Sequence, residues 1–200
     1  YKRSRENGSY YLSGFYRRIR DIFSRIYTID ERTVETVINT IPQNLGEGEN
    51  LGLEFAFDQK INRAWNMSGS FLWFENRINA FEGTSIYPYP QPFSFAETSS
   101  NTWNVKLNNS FKLPGNAENQ ATAIYYAPDI NPQGKVEERF SFDIGAKKVS
   151  KTGKLEYIFS ATDLFNTFGI RKTIDGEGFK LISENYYETQ VVTVGLKYKF

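Results

Sequence analysis

Hydrophobic side chains recur at every second position through most of this chain, and that period constrains the fold more than any other property of the sequence. Trp103, Val105, Leu107, Phe111 and Leu113 alternate with Asn104, Lys106, Asn108, Ser110 and Lys112. An extended strand turns successive side chains to opposite faces, so such a run has one apolar and one polar face. Trp65, Met67, Gly69, Phe71 and Trp73 likewise share one side, with Asn66, Ser68 and Ser70 on the other. Leu51, Leu53, Phe55 and Phe57 oppose Gly52, Glu54, Ala56 and Asp58. Phe140, Phe142 and Ile144 oppose Ser141, Asp143 and Gly145, and Leu155, Tyr157, Phe159 and Ala161 oppose Lys154, Glu156, Ile158 and Ser160. Two stretches leave their faces open. In one, Ile124 and Tyr126 compete with Ala123 and Tyr125; in the other, Tyr10, Leu12 and Tyr16 compete with Tyr11, Phe15 and Ile19.

The pattern predicts eight strands, over 9–22, 34–58, 64–79, 97–113, 118–128, 136–149, 153–164 and 186–200. The connections near 59–63, 114–117 and 150–152 are short, whereas those near 23–32, 80–96, 129–135 and 165–185 are mostly long. Short and long alternate, as in an up-and-down antiparallel meander with one plain and one decorated end. A transmembrane β-barrel has this build, with short turns in the periplasm and long loops outside. No run approaches the ~20 apolar residues of a spanning helix. The mean hydropathy of −0.52 is no objection to a barrel, because alternating strands average out as polar. Trp65 and Trp73 lie on one face, separated by about 20 Å along the membrane normal at ordinary strand rise and tilt. That separation approaches the height of the apolar band and suits opposite aromatic girdles, with Trp103 and Phe111 repeating it on the next strand. A soluble β-sandwich also alternates, but its strands usually run to about 5–6 residues, shorter than these.

The chain contains neither His nor Cys. Disulfides, thiolate or imidazole metal sites, and Ser-His or Cys-His dyads are therefore excluded. The formal net charge of +1 offers nothing to a nucleic acid. No cofactor, no metal and no enzymatic activity are expected. Asp163, Asn166 and Thr167 cluster without a paired carboxylate and read as a strand end with side-chain turn hydrogen bonds.

The chain ends on Thr193-Val194-Gly195-Leu196-Lys197-Tyr198-Lys199-Phe200. The polar Thr193, then Gly195, Tyr198 and a terminal Phe200 resemble the C-terminal signal read by the barrel assembly machinery. Counting back from Phe200 at the periplasmic rim puts every short turn on the periplasmic side.

Further stretches resemble, in order, the C-terminal part of a TonB-dependent receptor. These are Ser13-Gly14-Phe15-Tyr16-Arg17-Arg18-Ile19, then Pro42-Gln43-Asn44-Leu45-Gly46 running on to Gly52-Leu53-Glu54, then Trp65 with Ser68-Gly69-Ser70, and finally Asp163-Leu164-Phe165-Asn166-Thr167. The resemblance implies an all-β, transmembrane, antiparallel up-and-down barrel of roughly twenty-two strands, of which residues 1–200 supply about the last eight strands. It implies a plug domain and a TonB box outside these 200 residues. It also implies uptake of a siderophore, glycan or peptide across the cell outer membrane. The implied partners are outer-membrane lipid, the assembly machinery, TonB and the plug. The rival readings are a complete small eight-stranded barrel with a structural or adhesive role and, behind it, an outer-membrane enzyme.

Within this frame the loop Tyr87-Pro88-Tyr89-Pro90-Gln91-Pro92-Phe93 is the candidate ligand contact. Proline stiffens it, and Tyr87, Tyr89 and Phe93 offer stacking surfaces for a glycan or a flat chelate. Its alternative is a self-packed loop covering the rim. Trp65, Trp73 and Trp103 are the candidate membrane girdle. Asp129, Asn131, Asp175 and Glu177 read as solvated turn residues, since their spacing matches no EF-hand. Lys106, Lys112, Lys147, Lys197 and Lys199 face the lumen, where they either tune selectivity or contact a plug, or are ordinary wall polarity pairing across strands with carboxylates such as Glu54, Asp58, Asp143 and Glu156. Arg17, Arg18 and Arg20 form a charged outer rim.

Overall fold

The computed structural model describes all 200 residues, Tyr1–Phe200, and every regular element is a β-strand. In chain order these are β1 (Lys2–Arg5), β2 (Gly8–Arg20), β3 (Phe23–Asp30), β4 (Val37–Asn44), β5 (Glu47–Lys60), β6 (Trp65–Ile78), β7 (Phe81–Ser85), β8 (Gln91–Phe95) and β9 (Thr98–Leu113). They continue with β10 (Ala117–Tyr126), β11 (Asp129–Asn131), β12 (Gly134–Val136), β13 (Arg139–Val149), β14 (Leu155–Thr162), β15 (Ile170–Gly176), β16 (Phe179–Asn185) and β17 (Val191–Tyr198). Nine form one sheet in the order β1-β2-β5-β6-β9-β10-β13-β14-β17, each antiparallel to its neighbours. This is the predicted meander, with Lys2–Arg5 added as an edge strand where no strand was expected.

Register sorts the side chains into two faces. Leu12, Phe55, Phe71, Val105, Tyr125 and Phe140 stand opposite one another across six neighbouring strands. Three residues along, Ser9, Asp58, Ser68, Asn108, Thr122 and Asp143 form the matching row on the other face. Both open assignments are thereby settled. Tyr10, Leu12 and Tyr16 join the apolar face, while Tyr11, Phe15 and Ile19 lie on the polar one. Ala123 and Tyr125 are apolar-face residues, and Ile124 stands among polar neighbours opposite Lys106.

Only 14 of 200 residues are buried, and Leu51, Leu53, Phe55, Phe71, Phe159 and Leu196 are all exposed on the apolar face. Water does not tolerate so large a contiguous apolar surface on a stable protein. The sheet is one wall, and its hydrophobic face is complementary to lipid rather than to a second layer of the chain. Tight packing within the face occurs at Gly69, where an added Cβ would lie 2.8 Å from the ring of Phe57.

The main correction concerns the long connections. The expected strand 34–58 is two strands, β4 and β5, broken at Leu45 and at Gly46, whose φ is +75°. Residues 23–32 contribute β3, which pairs with β4. Residues 80–96 form the β7–β8 hairpin, and β11, β12, β15 and β16 form a second sheet. The long connections are therefore largely folded β-structure that extends the wall beyond its rim. Backbone bonds Ile22 N to Gly46 O (3.3 Å) and Leu45 N to Ile22 O (2.9 Å) carry the β2–β5 ladder into the β3–β4 hairpin. Asp21, with φ of +53°, supplies the matching kink on the ascending side.

Candidate functional site

The three long-loop assemblies meet around a cleft of about 370 Å³. Strand β3 forms one wall. Alternate residues of β3 bond to β4, which leaves the Tyr27 and Ile29 backbone groups pointing away from that partner. A free strand edge costs stability unless its donors and acceptors are met. Two glutamines meet them. The side chain of Gln133, a buried residue, accepts from Tyr27 N–H through Oε1 (2.7 Å) and donates through Nε2 to the Tyr27 carbonyl (2.9 Å). Gln91 Nε2 donates to the Ile29 carbonyl at 3.0 Å. Gln133 is itself held by Asn131, whose Oδ1 accepts its N–H (3.0 Å), and its carbonyl accepts from Asp175 N–H (2.7 Å). One amide side chain thus does the work of a neighbouring strand and ties β3 to the β11–β12 turn.

Gln133→Ala is expected to release this tie. The Tyr27 N–H and carbonyl would lose both partners, at about 1–3 kcal/mol per unsatisfied group. Faster amide exchange at Tyr27, with exchange in β9 unchanged, is the expected result; unchanged exchange at Tyr27 would contradict the clamp.

The cleft is lined by Tyr27, Ile29, Phe93 and Phe179, with Glu31, Asp175 and Glu177 among its polar groups. Beside it the Asp30 carboxylate receives Arg32 through Nε and Nη2, both at 2.9 Å. Hydrogen bonding from Arg32 holds Asp30 below the usual aspartate pKa range and raises Arg32 in turn. The Arg32 guanidinium also lies 4.3 Å from the centroid of the Tyr89 ring. On the other side of the loop sheet, Glu137 is held below its ordinary value chiefly by its hydrogen bond with Lys135, and Thr173 Oγ1 donates to it as well.

The three aromatics expected to contact ligand do not converge. Tyr87 is exposed at the hairpin tip, where its carbonyl accepts from Ser85 Oγ (2.9 Å). Tyr89 is taken up by Arg32 and Gln91. Phe93 packs among Phe81 and Phe95, with ring centroids 6.4 and 5.2 Å away, and alone of the three lines the cleft. The self-packed loop describes this hairpin better than a row of free stacking surfaces. Tyr27, Gln133 and Phe179 were not foreseen. Their partners are distant in sequence, so no local pattern marks them.

The other expected groups are distributed as follows. Asp129 accepts from Asn76 Nδ2 (2.8 Å) and Ser100 Oγ (3.1 Å), and so fastens β11 to the wall. Asp175 and Glu177 border the cleft, Asp175 lying 3.7 Å from Lys180. Arg18 meets Glu47 at 2.7 Å, with Arg20 at 3.9 Å from the same carboxylate. Lys147 pairs with Glu118 at 2.9 Å, and Lys197 stands opposite Glu156 on the polar face. Asp163 is 1% exposed and accepts from Thr167 N–H (3.0 Å), Phe168 N–H (3.2 Å) and Thr189 Oγ1 (2.6 Å). This is the turn hydrogen bonding anticipated for the Asp163–Thr167 segment.

On the apolar face Trp65 stacks on Phe111 at 5.8 Å, while Trp73 stands opposite Trp103, which packs on Tyr125 at 4.7 Å. Two aromatic levels therefore mark the two ends of the wall. In β17, Thr193 opposes Ser160, Gly195 opposes Ile158 and Tyr198 opposes Leu155. Phe200 follows the strand and meets Tyr198 edge-on at 5.3 Å.

Comparison with protein families matches residues 1–198 to the outer membrane protein beta-barrel family. Neither the curated proteins nor the solved structures provide a match. The match spans nearly the whole chain and agrees with the antiparallel wall, its exposed apolar face and its two aromatic levels. The chain belongs to the outer membrane protein beta-barrel family, and its place is the outer membrane.

Proposed function

We propose that these strands are the C-terminal wall of a TonB-dependent receptor that imports a nutrient, and that the chain has no enzymatic role. The observation that carries this reading is the open sheet: β1 and β17 stand at opposite ends of the nine-stranded order and do not pair. A small closed barrel has no such edges and fills its interior with side chains. Here the polar face is lined by short groups such as Ser68, Ser70, Asn108 and Thr122, which suit a lumen holding a separate plug. On this reading the loop cleft, with Phe93 at its border and Tyr87 and Tyr89 above it, contributes to ligand capture. Trp65, Trp73 and Trp103 sit in the two membrane interfaces. Thr193, Gly195, Tyr198 and Phe200 are read by the assembly machinery.

The test is capture of the periplasmic domain of TonB by the intact protein in detergent. A stable complex is expected. Absence of binding, together with closure of residues 1–200 alone into a heat-modifiable barrel, would favour the small structural barrel instead.

A further inference from the structure

Ion pairs are sorted by height, seven of the eight lying at the long-loop end. There Arg18 and Arg20 lie by Glu47, Arg32 by Asp30, Arg77 by Glu75, Lys135 by Glu137 and Lys180 by Asp175, while Arg17, Arg25, Arg139, Arg171 and Lys172 take no ion pair. At the short-turn end ion pairs are nearly absent and cations gather at the turns. Arg3 and Arg5 flank the β1–β2 turn, Arg63 occupies the β5–β6 turn, and Lys148 and Lys151 flank the β13–β14 turn. All five are exposed, and none takes part in an ion pair. At this end only Lys147 has a carboxylate partner, Glu118, and that pair lies on the polar face.

Register places the unpaired cations next to the lipid-facing surface. Arg3 stands opposite Tyr10, and Lys148 opposite Tyr157, both apolar-face residues. Arg63 lies two residues before Trp65. Arg3, Arg63 and Lys148 therefore sit beside or just beyond an aromatic side chain, the order of a chain leaving the acyl region for the headgroups, and Arg5 and Lys151 lie nearer still to the turns. Unpaired cations at headgroup height seek phosphate oxygens, and their attraction adds with number and falls with salt.

We propose that Arg3, Arg5, Arg63, Lys148 and Lys151 form a collar that binds the headgroups of anionic phospholipids at the short-turn leaflet. The collar needs only the outer-membrane placement and is independent of any coupling to TonB.

The test is lipid selectivity of the intact protein in bilayers of phosphatidylcholine doped with phosphatidylglycerol, read from spin-labelled lipids. A preference of about fivefold for phosphatidylglycerol at low salt is expected, falling towards none at about 0.5 M salt. Substituting all five by Gln should abolish it. R63Q with K151Q, both in turns outside the strands, should roughly halve it in a wall that folds normally. R18Q with R20Q and R77Q should leave it unchanged. No preference in the wild type, or a preference that survives the five substitutions, overturns the proposal. Loss of preference on K112Q with K147Q and K197Q instead would assign anion binding to the polar face, and the collar would fail.

Discussion

Leu107→Arg is expected to destabilise the folded protein in lipid vesicles by about 2–4 kcal/mol, the cost of a cation on the lipid face near the bilayer midplane. Leu107 lies four residues from both Trp103 and Phe111, so it is midway between the two aromatic levels. Across the sheet it stands opposite Gly69 and Ala123. Glycine and alanine present no polar atom to an incoming guanidinium, and the long side chain is too central to reach either interface easily. Asn108→Arg, one residue on, points to the face carrying Ser68 and Thr122 and should cost much less. Denaturant titration of vesicle-folded protein measures both. Equal costs at the two positions would show that the apolar face does not meet lipid.

Replacing Asp163 by Ala should cost about 3 kcal/mol or more, because hydrogen bonds to a charged acceptor are worth roughly 1.5–3 kcal/mol each and three donors lose their partner together. Those donors come from the turn after β14 and from Thr189, just before β17. Asp163 N–H in turn donates to Asp143 Oδ1 at 2.8 Å, and Ser141 Oγ donates to the same oxygen at 2.7 Å. The Asp163 carboxylate thus ties the turn after β14 to the approach to β17, and its backbone N–H holds both to β13 through Asp143. Asp163→Asn keeps the shape and one acceptor oxygen, so it should fall between wild type and Ala. The measurement is the denaturant midpoint in lipid, and an Ala variant as stable as wild type would show that water replaces the carboxylate at no cost.

The wall was legible because its faces are written locally. From Trp103 to Leu113 the alternation is nearly unbroken, and β9 covers that run. Where both faces carry large groups, as at Tyr10 and Tyr11, only the partner strand decides, and it does so through Phe57 and Ala56. The break between β4 and β5 had a signal at Gly46, but the alternation on both sides hid it. The folded state of the long connections was not legible, since their support comes from tertiary partners. Gln133 lies 106 positions from Tyr27, the backbone it bonds. For the same reason the cleft was unreadable. Of its lining, Gln91, Pro92 and Phe93 belonged to a segment whose composition stood out, and there Tyr87 and Tyr89 drew attention to the hairpin tip rather than to its base.

The chain has three tryptophans. Trp65 and Trp73 are in β6 and Trp103 is in β9, all on the lipid side of adjacent strands. Its tryptophan emission therefore comes from one patch of wall, with Tyr125 close enough to Trp103 to feed it excitation energy. A blue shift or quenching by brominated acyl chains would report insertion of that patch, and no tryptophan of these 200 residues lies above the rim to contribute. Rearrangement of the cleft would leave the tryptophan emission of these 200 residues unchanged, since its lining holds Tyr27 but no tryptophan, which makes that emission a reporter of membrane assembly and a blind one for ligand.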